Sequence, residues 1–286
     1  MTITDAPTSA RVPIGPMLSM YDPIFIGIDE MRRPVYLPLI YRNILAAGEP
    51  GGGKSGLVQC IGCHAALCDR TRLVLLDGKQ VELGMLAPAA DKFVGPDIDE
   101  AIITLRRLQQ VMNNRYTWLT ARRRRKIDQY DDVNVIVVII DEIAYFSATV
   151  GDERQQREFI ALLRDLVARG RAAGIIVVAA TQRPSVDIIP KSMRDLFGYR
   201  AAFRCTSSGS SDIILGDGWS GSGYSATDIL PTSQGVCYLI AEGGTPRKIK
   251  VAYLTDSDIA HIADYAVAIR RNGRNGSPLS THQLAA

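Results

Sequence analysis

The sequence predicts an α/β domain with a mainly parallel central sheet and helices covering both of its faces. Three observations carry that prediction. Residues 48–55 read Gly-Glu-Pro-Gly-Gly-Gly-Lys-Ser, which meets the phosphate-binding-loop pattern G-x-x-x-x-G-K-[ST] at every required position. The apolar runs 73–76, 133–140 and 175–180 show almost no polar alternation, as strands buried on both faces do not. Helical stretches separate these runs, which is the connection that parallel pairing requires.

Taken in order, residues 1–22 are rich in Pro, Ser and Thr without periodicity and read as a flexible lead-in. Residues 25–29 and 34–37 read as two short strands joined by a turn. The run Asn43-Ile44-Leu45-Ala46-Ala47 is a buried strand that delivers the glycine-rich loop, and 55–68 is the helix behind it. Strand 73–76 ends in Asp77. Ile98, Ile102, Leu105, Leu108, Met112 and Leu119 mark one face of a long helix. Phe159, Leu162, Leu163 and Leu166 mark a second, which stops near Gly170 or Gly174. Past residue 199 the pattern loosens; 236–240 and 249–253 read as closing strands around a Gly/Ser-rich loop at 216–223. The expected division is a lead-in over 1–22, one nucleotide-binding domain over 23–268, and a polar, disordered tail over 269–286. No internal repeat occurs.

Composition sets limits. The 286 residues are 47% hydrophobic and 22% charged, enough apolar mass for one large core. A net charge of +3 does not by itself identify a nucleic-acid partner. No apolar run reaches the length that crosses a bilayer, and the N-terminus does not resemble a signal peptide. A soluble cytoplasmic chain is expected, its attachment to the inner face of the cell membrane coming through a membrane-anchored partner. Five cysteines without framework spacing suit a reducing compartment. Cys60-Ile61-Gly62-Cys63-His64 spells the haem-attachment pattern, yet it lies on the helix behind the phosphate loop, where packing of small residues is the expected role.

The chemistry follows from the loop. Gly48 and Gly53 let the backbone wrap closely, so Gly48, Glu49, Pro50, Gly51, Gly52, Gly53, Lys54, Ser55 and Gly56 are the expected contacts to ATP. Lys54 brings charge to the β- and γ-phosphates, and the Ser55 hydroxyl is a ligand for Mg²⁺. Strand 135–140 ends in Asp141-Glu142: Asp141 is placed for the Mg²⁺ shell, and Glu142 for a general base that polarises the attacking water. Thr181-Gln182 closes the next strand, either as a contact to the γ-phosphate or lytic water or as a polar turn before Pro184.

A family resemblance then emerges. Gly48 to Ser55, Leu76-Asp77-Gly78-Lys79 with Glu82-Leu83, Ile140-Asp141-Glu142, Arg171-Ala172-Ala173-Gly174 and Ala180-Thr181-Gln182-Arg183-Pro184-Ser185-Val186-Asp187 follow one another in this order. Together they resemble the motor domain of the FtsK/SpoIIIE family of double-stranded DNA translocases, from about Ile26 to Ile259. The loop and the short chain look most like the actinomycete conjugative transfer proteins of the TraB/TraSA type. The resemblance implies a RecA-like fold, a ring of six copies, ATP hydrolysis between subunits and duplex DNA in the centre. It also implies an arginine finger in trans from Arg171, with Arg169 and Arg200 in reserve, so the expected catalytic residues are Lys54, Glu142, Gln182 and Arg171. The family's large members carry N-terminal membrane spans and a C-terminal winged helix that reads DNA; neither is visible here, so sequence-specific loading is not expected.

Arg122-Arg123-Arg124-Arg125-Lys126 is the strongest basic run. It reads either as a sequence-independent phosphate contact or as a solvated helix end favoured by the dipole. The 216–223 loop with Trp219 is a second element that could face DNA. The competing function is a protein-secretion ATPase of the type VII kind on the same motor; a nucleotide-gated scaffold is disfavoured by the intact Lys54, Asp141 and Glu142.

Overall fold

Side chains alternate across a strand, so a strand that is apolar at every position must be covered on both faces. The computed structural model, which describes residues 17–273, shows this arrangement. Strands β1 (Ile24–Asp29), β2 (Pro34–Leu37), β3 (Ile44–Ala47), β4 (Thr71–Leu76), β5 (Lys92–Val94), β6 (Val135–Ile140), β7 (Ile175–Thr181), β8 (Tyr199–Phe203), β9 (Val236–Ala241) and β10 (Arg247–Val251) form one sheet in the order β2-β1-β10-β9-β8-β3-β7-β6-β4-β5. From β8 to β5 every pairing is parallel; from β2 to β8 every pairing is antiparallel.

Two cores lie on either side. Ile136, Val138 and Ile140 of β6 and Ile175, Val177 and Ala179 of β7 face helices α2 (Ile98–Ala121), α3 (Ile143–Ala148) and α4 (Glu153–Arg169). The alternate residues Val135, Val137, Ile139, Ile176, Val178 and Ala180 face α1 (Lys54–Ala66) and α7 (Asp256–Gly273). Helix starts are set by local chemistry. The Asp97 carboxylate accepts from the backbone N–H groups of Asp99 and Glu100 to begin α2, and Asp152 with Gln155 forms a reciprocal capping box on α4. Short helices α5 (Lys191–Arg194) and α6 (Ser208–Leu215) flank β8.

The structure departs from the sequence reading in several places. β8 was not expected, because Tyr-Arg-Ala-Ala-Phe has no long apolar run; it is a strand because it pairs with β3 on one side and β9 on the other. α7 was not expected as a helix, although Ile259, Ile262, Ala263 and Ala266 recur at helical spacing and are buried. It runs through residues 269–273, which the sequence reading assigned to a disordered tail. Of the lead-in, residues 17–22 pack against the domain: Leu18 bridges Cys68 and Met20 is buried. The rest of both expected terminal segments, 1–16 and 274–286, lies outside the described residues. Among the described residues no helix is long and apolar enough to cross a membrane.

Candidate active site

In the parallel half of the sheet, β7 lies between β3 and β6. The C-terminal ends of these strands therefore meet along one edge, where ligands bind in open α/β sheets. The loop leaving β3 is tightly built. Gly48 has a φ of 149°, and a Cβ there would lie 2.8 Å from the Phe203 backbone; Gly53 has a φ of 95°, and a Cβ would lie 2.3 Å from the Gly235 nitrogen. Both positions need glycine for conformation and for close approach. Lys54 Nζ donates to the carbonyls of Gly48 at 2.7 Å and Glu49 at 2.8 Å. Glu49 in turn pairs with Arg204 at 3.0 Å, and Gly235 donates to the Gly52 carbonyl at 2.9 Å. Burial draws the Lys54 ammonium down to about 8, against the pull of the Glu142 and Asp141 carboxylates.

At the end of β6, Asp141 and Glu142 stand in different surroundings. Asp141 is 8% exposed, and its Oδ2 is buried without a hydrogen-bond partner. Burial, then the nearby Asp77, Glu82 and Glu142, push its carboxyl up to about 7. Glu142 is held at both oxygens. Oε1 accepts from Thr181 Oγ1 at 2.6 Å and from the Ala144 N–H at 3.1 Å, while Oε2 accepts from the Gln182 N–H at 2.8 Å. The Thr181 carbonyl accepts from the Gly48 N–H at 3.3 Å. A continuous hydrogen-bonded path thus runs from the phosphate loop through Thr181 to Glu142. Thr181 and Gln182 were open between a contact to the γ-phosphate or lytic water and a polar turn; in the structure they orient Glu142, and Gln182 also lines the cleft.

An open cleft of about 680 Å³ lies at this edge, lined by Pro50, Gly51, Gly53, Lys54, Ser55, Gly56, Asp141 and Gln182. Its other walls were not foreseen as site residues. Glu82 comes from the turn after β4, which Asp77 fixes by accepting from the N–H groups of Lys79, Gln80 and Leu83. Thr232, Gln234 and Gly235 come from the turn before β9, and Lys250 to Tyr253 from the exit of β10. No local motif marks the residues at 232–235 and 250–253, because pairing across the sheet brings them from nearly two hundred positions away.

The remaining expected residues lie elsewhere. Arg171 sits in the turn Gly170–Ala173 before β7, with its guanidinium 3.9 Å from Glu242. β7 is seven residues long, so Arg171 stands roughly 20 Å from the phosphate edge. Of the two reserves, Arg169 is engaged by Asp165 at 2.6 Å, and Arg200 is partly buried beside Asp195. The basic run is less free than its sequence suggests. Arg124 is bound by Asp128 and Asp131, and Arg122 stacks over Trp118 at 4.3 Å. Trp219, expected at a DNA-facing loop, turns inward onto Tyr224 and the core.

Comparison with known proteins fits this arrangement. The FtsK/SpoIIIE family model matches residues 4–134. The chain is 29% identical over 280 residues to the DNA translocase FtsK of Haemophilus influenzae, covering 85% of this chain and 51% of that protein. It is 30% identical over 259 residues to the DNA translocase FtsK of Treponema pallidum, covering 84% of this chain and 31% of that one. The chain therefore spans about half or less of these relatives. Among solved structures, the fold resembles the pCW3 conjugation coupling protein TcpA with ATPγS (TM-score 0.74, 21% identity, 86% of this chain and 70% of that one). It also resembles the cytoplasmic domain of the Thermomonospora curvata type VII secretion ATPase EccC (TM-score 0.66, 19% identity, 92% and 33%). Both show the α/β fold of P-loop motors.

Proposed function

We propose that this chain, which carries an FtsK/SpoIIIE family domain, is an ATP-hydrolysing motor that moves along double-stranded DNA. The observation that carries the reading is the hydrogen-bonded path from Gly48 through Thr181 to Glu142. It ties the carboxylate suited to activate water to the loop suited to hold the triphosphate. Lys54, released from its loop carbonyls, meets the β- and γ-phosphates. Glu142 keeps lone pairs free beyond its three donors and is aimed by them; it accepts a proton from the water that attacks the γ-phosphorus. A hard divalent cation fits the oxygen donors present, since Asp141 Oδ2 is buried and unpartnered and shares the cleft with the Ser55 hydroxyl. Asp141 and Ser55 would hold Mg²⁺, which neutralises phosphate charge when bound.

Arg171 is too far from its own phosphate loop to serve it, so its role is to complete the site of a neighbouring copy in a hexameric ring. The DNA translocase relatives support duplex DNA as the substrate. The coupling-protein neighbour and the Gly-Glu-Pro-Gly-Gly-Gly-Lys-Ser loop support conjugative transfer, of the actinomycete TraB/TraSA type. In that setting the motor works at the inner face of the cell membrane, held there by a membrane-anchored partner. Arg122, Arg123, Arg125 and Lys126 remain exposed for phosphate contacts, which are insensitive to sequence and weaken with salt.

The test is ATPase activity of the assembled protein with and without duplex DNA, together with ATP-dependent displacement of a third strand from a triplex. DNA stimulation and displacement are expected. An ATPase indifferent to DNA and stimulated by a protein substrate would favour the secretion-motor reading that EccC represents.

A further inference from the structure

Glu49 is the one acidic residue of the phosphate loop, and a carboxylate there repels the anion that such a loop holds. Its surroundings show how the loop tolerates it. The chain leaving β8 runs directly against the loop. The Glu49 N–H donates to the Arg204 carbonyl at 2.9 Å, and a Cβ on Gly52 would lie 3.4 Å from Phe203 Cβ and 3.7 Å from the Arg204 nitrogen. This contact brings the Arg204 guanidinium 3.0 Å from the Glu49 carboxylate, the two side chains being 28% and 21% exposed. Glu49 also gives its backbone carbonyl to Lys54 Nζ at 2.8 Å, so covalent reach keeps its carboxylate within about 10 Å of that ammonium. Neither Glu49 nor Arg204 lines the cleft. The two charges therefore act on a bound phosphate through protein, where screening is weaker than in water. A partly exposed ion pair contributes little to folding, so its larger consequence lies at the loop.

We propose that Arg204 is a positioning residue that sets the phosphate affinity of the loop by neutralising Glu49. The proposal rests on the nucleotide reading of the phosphate loop and adds to it a residue from the exit of β8. With the pair intact, the loop meets the ligand as a neutral surface and Lys54 supplies the unopposed charge. Without the guanidinium, the Glu49 carboxylate opposes Lys54 at the same phosphates.

The test measures binding of ADP and of a non-hydrolysable ATP analogue, each with Mg²⁺, to the full chain by calorimetry. Arg204→Gln leaves Glu49 unpaired and should weaken the ATP analogue by about tenfold. Glu49→Gln frees the guanidinium and should tighten the analogue by a similar factor. The double variant carries neither charge and should return to within about threefold of wild type. Each single effect should be smaller for ADP, which carries less charge. A purely structural latch would instead weaken both single variants, equally for both nucleotides. Analogue affinity in Arg204→Gln within about twofold of wild type overturns the proposal and leaves the nucleotide reading standing. Weaker binding in Glu49→Gln overturns it as well, and so does a double variant that fails to recover, since Arg204 would then touch the nucleotide itself. Arg204→Lys keeps the charge and should bind like wild type, which tests the idea even where Arg204→Gln does not fold; a tenfold loss in folded Arg204→Lys overturns it. Absence of nucleotide binding by the wild-type protein overturns both the proposal and the nucleotide reading.

Discussion

At the scale of single residues, the engagement of Glu142 separates binding from chemistry. Lys54→Ala removes the only buried cation of the phosphate loop and should abolish nucleotide binding. Glu142→Gln keeps the shape of the site and loses the base, so ATP binding should persist while hydrolysis falls by about 10²- to 10⁴-fold. Wild-type turnover in Glu142→Gln would mean that the general base lies elsewhere. Thr181→Val is subtler. It keeps the volume of the side chain but deletes the 2.6 Å bond to Glu142 Oε1. A hydrogen bond to a charged group contributes about 1.5–3 kcal/mol, so kcat should fall roughly tenfold or more with KM little changed. If Thr181→Val raises KM alone, Thr181 acts on binding and not on the base. The glycines, Lys54, Ser55, Asp141 and Glu142 were readable because each belongs to a short local pattern. The bond that orients Glu142 was not, since Thr181 is 39 residues away in sequence and meets it only when β6 and β7 pair.

At the scale of elements, α7 shows how a helix lacking a conspicuous sequence signature is fastened. Arg270 is 5% exposed and donates to the carbonyls of Ala66 at 2.8 Å, Ala65 at 2.9 Å and Ala89 at 3.0 Å, and to the Asp91 carboxylate at 3.0 Å. It caps the end of α1 and binds it to the segment before β5. Arg270→Ala would leave these acceptors and part of the Asp91 charge buried without their partner, at a cost of about 3–5 kcal/mol. Urea denaturation should show a lower midpoint with an unchanged slope; a loss under 1 kcal/mol would mean that water replaces the guanidinium. The buried strands β6 and β7 were legible because burial on both faces leaves only apolar residues. β8 and α7 were harder to read: an edge between parallel and antiparallel halves tolerates Arg200, and α7 mixes small and polar residues around a narrow apolar stripe.

At the scale of the whole molecule, the proposed assembly rests on the two ends of β7. Thr181 belongs to the nucleotide edge, and Arg171 lies at the opposite end of the same strand. In the proposed assembly, a copy that presents its Arg171 edge to the next copy's cleft makes a head-to-tail contact, the type that closes into a ring when the rotation between copies allows it. Arg171→Ala and Glu142→Gln should each be inactive alone. Mixed before assembly, they should recover part of the activity, because some interfaces pair an intact Glu142 with an intact Arg171. No recovery in demonstrably mixed rings would assign the finger to another residue. The basic run lies at this same distal end of the sheet, since Arg115 of α2 reaches the Ala173 and Asn134 carbonyls beside the starts of β7 and β6. Phosphate contacts proposed for that run would be separate from the nucleotide cleft.

The amino-acid order alone determined the phosphate loop, the two carboxylates after β6, the parallel half of the sheet and the long helices that cover it. Each of these is a short-range pattern: a turn that needs glycine, a strand that must be apolar throughout, a helix with one apolar face. Only the tertiary structure decided that β8 lies beside β3, that Thr181 aims Glu142, that Arg124 is held by Asp128 and Asp131, and that Tyr253 stands at the mouth of the cleft. Those outcomes depend on which strands pair and in which register. Pairing joins residues far apart in the chain, and its free energy comes from contacts that no local stretch of sequence contains.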